Sequence, residues 1–255
     1  MSELQIKIIH EPDSQKPFVI IDKPAGLPSA PLSDLDTNNA FWQAVQLFPQ
    51  LLDVQGKKSV EHGLLHRLDT ATAGLIIIAA TQECYDFLQE EQKENRIIKT
   101  YTAECGLLRY ARNDGWPLCN DTVFEPVEGQ KFKITSYFRP YGPGRKEVRP
   151  VFPKDSETAL KKVEKKVLYT TNITIQKINK ANNTAIVECT ITNGYRHQVR
   201  SHLAWCGLPV INDVIYNEDA KNKKSTEQMH FCASKIQFEY PRGDLNSYDR
   251  KDTWT

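Results

Sequence analysis

The stretch HGLLHRLDTATAGLIIIAAT, residues 62–81, sets an Arg-Leu-Asp step between two histidines and a run of six apolar residues, Leu75 to Ala80. A continuous apolar run of that length, bounded by Gly74 and Thr81, reads as a fully buried strand. A carboxylate and a guanidinium, Asp69 and Arg67, stand at its mouth, where Ser, Asn or Gly would turn the chain at lower desolvation cost. Loss of hydration disfavours the aspartate anion and an adjacent guanidinium favours it. The residues alone leave two readings: an anionic, partly desolvated carboxylate acting as nucleophile or base, or an Asp closing the turn D-T-A-T.

Working outward, Phe18 to Ile21 is a short apolar run closed by D-K-P-A-G-L-P, a strand ending in a Pro/Gly turn. Thr37 is placed to cap a helix over residues 37–52, with Phe41, Trp42, Val45, Leu47 and Phe48 as its apolar stripe. Thr81 is placed to cap a second helix, to about Asn95, and K-T-Y-T-A-E-C-G then alternates as a strand. From Arg109 to Pro153 six prolines and four glycines suggest an insertion over about 109–158 with one strand at Lys131 to Phe138. Tyr169 to Ile178 and Thr184 to Thr192 form a hairpin pattern around N-K-A-N-N.

The next block, NGYRHQVRSHLAWCGLPVINDVIY at 193–216, contains a short helix: Val199, Leu203 and Cys206 mark a buried side, and Gly207 is its C-terminal cap. Arg196 and Arg200 are spaced to share another face of it. Met229 to Phe238 reads as the last strand. The pattern is mixed α/β in a single domain, 1–255, with its core at about 18–240.

With 40% hydrophobic and 25% charged residues and a formal charge of +1, the 255-residue chain fits a soluble globular class. The charge is unevenly spread: from Arg139 to Lys166 nine basic residues face four acidic ones. The start lacks a basic and then apolar leader, and no run is long enough to cross a bilayer. A cytoplasmic location, a monomer and no membrane partner are expected. Six scattered cysteines without a C-x-x-C pair are read as thiols, mostly buried. His62 and His66 have i,i+4 spacing but no third ligand nearby, so no metal is expected.

Four motifs now combine. H-R-L-D-T-A-T-A-G resembles the H-R-L-D-x-x-T-S-G signature of the RluA-type pseudouridine synthases, with Ala73 for the usual Ser. F-V-I-I-D-K-P-A-G-L-P is similar to their opening strand and turn, K-T-Y-T-A to their K-x-Y-x-A strand, and the 193–216 block to their H-Q-I-R block. The motifs occur in the family's order from Phe18 to about Tyr240. Two departures stand out: Tyr195 occupies the usual arginine position, with Arg196 one place later, and Asn212 replaces the common glycine before Asp213. No small S4-type RNA-binding domain is expected before Phe18.

The resemblance implies a mixed α+β fold with a largely antiparallel central sheet flanked by helices and loops. It also implies isomerisation of uridine in structured RNA, rRNA or tRNA. The base leaves C1′ at its N1, turns and rejoins through C5, without net redox change, so no cofactor is expected. In this resemblance Asp69 is the catalytic carboxylate, as nucleophile, electrostatic stabiliser or base for the 2′ proton. Tyr101 stacks on the displaced base and helps strip the C5 proton, and Arg200 keeps the aspartate ionised. Arg67 helps hold the target nucleotide out of its stack. Arg196, Lys161, Lys162, Lys165 and Lys166 are candidate RNA contacts. His197 joins them as a hydrogen-bonding residue rather than an acid–base catalyst, and His66 is a packing residue. The alternative is an RNA-binding relative without turnover, supported only by the altered G-Y-R-H-Q block.

Overall fold

The structure, a computed structural model, describes residues 4–107 and 126–250. Along the chain these form β1 (Lys7–His10), β2 (Phe18–Lys23), α1 (Ala40–Leu47), β3 (Ala73–Ala79), α2 (Gln82–Lys93) and β4 (Ile98–Gly106). Then follow β5 (Lys131–Tyr141), β6 (Glu147–Val151), α3 (Glu157–Leu160), β7 (Tyr169–Asn179), β8 (Thr184–Ile191), α4 (Gln198–Trp205), α5 (Glu218–Asn222), β9 (Phe231–Glu239) and β10 (Leu245–Asp249). The chain divides into two compact units, Met1–Thr100 with Cys232–Thr255, and Tyr101–Phe231.

In the first unit the strand order is β1-β2-β3-β9, with β10 on β9. All these pairs are antiparallel except β3 with β9. β2 and β3 are buried along their whole length, which matches the apolar sequence of β3 and of Phe18 to Ile21 in β2; the last two residues of β2, Asp22 and Lys23, are charged and buried as well. Phe18, Ile20, Leu75, Ile77, Leu88, Ile236 and Phe238 form the core of this unit. Gly74 is fixed by close approach: it pairs with Ala233, and a Cβ there would lie 2.3 Å from the Ala233 carbonyl oxygen. Thr81 caps α2 by accepting from Cys84 N at 3.3 Å, as its sequence indicates. Helix α1 is shorter than its apolar stripe suggests, and its cap is Asn39, whose side chain accepts from Trp42 N, not Thr37.

The second unit has the order β4-β8-β7-β5-β6, with antiparallel pairing along β8-β7-β5-β6. The expectation of a largely antiparallel sheet therefore holds. Three expectations need correction. Residues 131–151 hold a hairpin of two strands rather than one strand, because Gly142 and Gly144 adopt positive φ and turn the chain back. Helix α4 starts only at Gln198, after His197 in the left-handed region, so Arg196 lies outside it and shares no helix face with Arg200. All eight residues of α4 are buried, where one buried side was expected. Gly207, at φ +72°, ends it as expected, with Leu208 N donating to Leu203 O and Gly207 N to Ala204 O. Cys84, Cys105, Cys189, Cys206 and Cys232 are buried thiols; Cys119 lies outside the described residues.

Candidate active site

Asp69 sits half-buried in an irregular segment that follows a backbone return along β3. Gly63 and Leu65 hydrogen-bond across to Ala79 and Ile77, and a Cβ at Gly63 would lie 2.1 Å from the Ala79 carbonyl oxygen. Beyond Leu65 the main chain leaves the sheet, so its polar groups need other partners. The turn from β2 supplies them. Ser29 Oγ accepts from Leu68 N at 3.0 Å and donates to Leu68 O at 2.7 Å. Thr70 O accepts from Gly26 N at 2.7 Å and from Lys23 Nζ at 3.3 Å. Asp69 O accepts from Thr72 N at 2.9 Å, so the D-T-A-T turn is closed by a main-chain carbonyl.

Lys23 is fully buried, and its ammonium also donates to Pro24 O and Leu27 O. Burial lowers its pKa to about 8, against the opposing pull of Asp69 and Asp22. Charge is thus brought into the interior beside the aspartate, on a residue that sequence reasoning placed only in an opening turn. The signal was there: a Lys at the end of an otherwise apolar strand must find acceptors.

Arg67 is 52% exposed and pairs with Glu61 at 3.0 Å. His66 has both ring nitrogens buried and without a hydrogen-bond partner among the described residues. Burial, and then the charge of Lys99, holds its imidazole well below the ordinary histidine value. That neutral ring fits the packing role expected of it. Lys99, the lysine of K-T-Y-T-A, is buried with Nζ donating to Gln92 Oε1 at 3.2 Å, and burial lowers its pKa to about 8.

In the second unit, Tyr101 is half-buried and stacks on Phe231 with centroids 5.2 Å apart and planes at 7°. Arg200 is buried in a two-pronged pair with Asp213: Nε to Oδ2 and Nη2 to Oδ1, both 2.8 Å. Asp213 Oδ1 also accepts from Ile215 N and Tyr216 N, so the N-D-V-I-Y turn fixes the carboxylate that fixes the arginine. Asp213 is the second residue that sequence reasoning left without a role.

His197 Nδ1 lies 3.0 Å from Tyr216 Oη. His202 is buried between Ser136 Oγ and Thr171 Oγ1, and burial lowers its pKa to about 3. Tyr195 stacks on Phe138 at 5.0 Å and hydrogen-bonds Glu164 through its hydroxyl. The departure at that position therefore serves packing and anchors the lysine-bearing segment. Arg196 is exposed, and its Nη2 donates to Arg145 O at 2.7 Å, bracing the β5–β6 turn. Lys161, Lys162, Lys165 and Lys166 are all exposed.

Comparison with known proteins gives a consistent answer. The chain is 28% identical over 210 residues to the tRNA pseudouridine(31) synthase of Saccharomyces cerevisiae, covering 82% of this chain and 46% of that protein. It is 26% identical over 215 residues to ribosomal large subunit pseudouridine synthase C of Rickettsia felis, covering 82% of this chain and 55% of that one. It thus spans about half the length of these relatives. The fold matches the solved structure of human RNA pseudouridylate synthase domain containing 1 with a TM-score of 0.69 at 17% identity, over 100% of this chain and 86% of that one. The RNA pseudouridylate synthase family model matches residues 17–205, which hold Asp69, Tyr101 and Arg200, and on that match the chain belongs to the RluA-type RNA pseudouridylate synthase family.

Proposed function

We propose that this chain isomerises uridine to pseudouridine in structured RNA, tRNA or rRNA, with Asp69 as the catalytic carboxylate. The observation that carries the reading is the pinning of the main chain on both sides of Asp69 by Ser29, Thr72, Gly26 and Lys23. A turn residue needs no such support; a group that must meet C1′ of a flipped nucleotide does. In the reaction the N1–C1′ bond breaks, the C5–C1′ bond forms, C5 loses a proton and N1 gains one. The carboxylate stabilises the developing positive charge at C1′, attacks it or removes the 2′ proton.

By the resemblance, Tyr101 serves the displaced base and its C5 proton, and Arg200, held by Asp213, is the basic member of the catalytic set. Arg67, Arg196, His197 and the lysines at 161, 162, 165 and 166 contact RNA. The exposure of Arg67, Arg196 and the four lysines supports that assignment. Tritium release by the purified chain from tRNA or rRNA transcripts carrying 5-tritiated uridine tests the proposal, since the C5 proton must leave by any route. Release above the protein-free rate is the expected result. Binding without release would favour the non-catalytic alternative.

A further inference from the structure

We infer that Ser29 is a positioning residue for Asp69, acting through the main chain of Leu68; this rests on the role proposed for Asp69 above. A hydroxyl has one proton and two lone pairs, and Ser29 spends the proton on Leu68 O and a lone pair on Leu68 N. Because each peptide unit is planar, holding these two groups fixes the planes of residues 67–68 and 68–69. On the other side, Thr72 N holds the plane of residues 69–70 through Asp69 O. Gly26 N and Lys23 Nζ hold the next plane through Thr70 O.

The two planes that meet at the Asp69 Cα are thus both restrained, and only side-chain rotation remains to the carboxylate. Of the groups that hold these two planes, Ser29 Oγ belongs to a side chain and Thr72 N to the main chain. Ser29 is 4% exposed, so water does not substitute for it. Its hydrogen bonds lie where the chain has left β3 and no ladder partner stands opposite.

The test uses the full-length chain with Ser29→Ala and Ser29→Cys; a thiol fills the space but hydrogen-bonds weakly. Single-turnover tritium release with enzyme in excess gives the chemical rate apart from RNA affinity, and hydrogen exchange on the RNA-free protein reads the backbone. Expected are a rate at least tenfold below the parent, RNA Kd within twofold, and exchange at least tenfold faster at the Leu68 amide with β3 unchanged. A rate within twofold of the parent overturns the inference. So does faster exchange that extends through β3, which would mark a general loss of stability. If Ser29→Ala does not fold, the same criteria apply to Ser29→Cys. Asp69→Asn, run in parallel, separates the two claims: near-parent release by that variant refutes the role of Asp69 itself, whereas its loss beside an active Ser29→Ala refutes only the role of Ser29.

Discussion

The loop around Asp69 and the segment around Lys161 to Lys166 carry charge in opposite ways. The first holds one half-buried carboxylate between main-chain groups that are bonded at nearly every step. The second holds four exposed lysines on a stretch tied down through Glu164, whose amide donates to Phe138 O and whose carboxylate takes the Tyr195 hydroxyl. One is built so that a single group keeps its place, the other so that several charges share a surface. Substitutions in the first should act through geometry and be steep; in the second they should act through charge number and be graded.

The largest expected effect is that of Asp69→Asn, which keeps size and most hydrogen-bonding capacity while removing the charge. Turnover in the tritium-release assay should fall by several orders of magnitude while folding and RNA affinity survive. Retained turnover would break the comparison outright.

Next comes Asp213→Ala, which leaves the buried Arg200 guanidinium without its carboxylate. Removing one partner of a buried pair costs about 3–5 kcal/mol, which denaturant titration would read as a lower midpoint. A change below about 1 kcal/mol, the usual scale of exposed pairs, would place Arg200 on the graded side.

Lys99 sharpens the electrostatic part. Its folded pKa, about 8, lies below the value of 10.5 that it has when solvated, so the unfolded chain binds more protons between these limits. Its contribution to stability therefore rises from about pH 8 to pH 10.5 and is least favourable below pH 8. Half-buried Tyr240 and Tyr248, pushed up to about 12, act in the opposite direction above about pH 10, so the quantity to compare is the difference between parent and Lys99→Met. That difference should favour the variant below pH 8 and shrink towards pH 10.5. A pH-independent difference would mean that the ammonium carries no burial penalty.

The smallest expected effect comes from neutralising Lys161, Lys162, Lys165 and Lys166 together. For every phosphate that these lysines no longer neutralise, the dependence of log affinity on log salt should flatten by about 0.7 to 0.9, with the single-turnover rate at saturating RNA unchanged. An unchanged slope would make these lysines a solvated face.

Apolar runs and turn residues revealed much of this fold. The strand at Leu75, the hairpin at 169–192, the Thr81 cap and the Gly207 cap are all written in local pattern, because burial and capping depend on near neighbours. What escaped depended on distant partners. β1 and β10 are short edge strands whose pairing comes from β2 and β9. The second strand of the 131–151 hairpin hides among prolines. Arg196 has helical spacing from Arg200 but lies outside the helix, and spacing cannot show that His197 takes a left-handed conformation. In the candidate site, motif resemblance picked out Asp69, Tyr101 and Arg200 but not Ser29, Lys23 or Asp213. Those three act by holding others, and nothing in their own neighbourhood in sequence names what they hold.

The parallel pairing of Gly74 with Ala233 has a consequence for how the protein is made. The unit containing Asp69 takes its remaining strands from Cys232 onward, whereas the other unit is one continuous stretch, Tyr101–Phe231. At about 5–20 residues per second, a ribosome needs on the order of 10 s to translate the intervening stretch. During that time the wholly apolar β3 has emerged without β9, its neighbour on one edge. The nascent chain therefore carries an open hydrophobic strand edge until β9 is made, and nascent chains halted just before Cys232 should be the ones that aggregate or recruit chaperones.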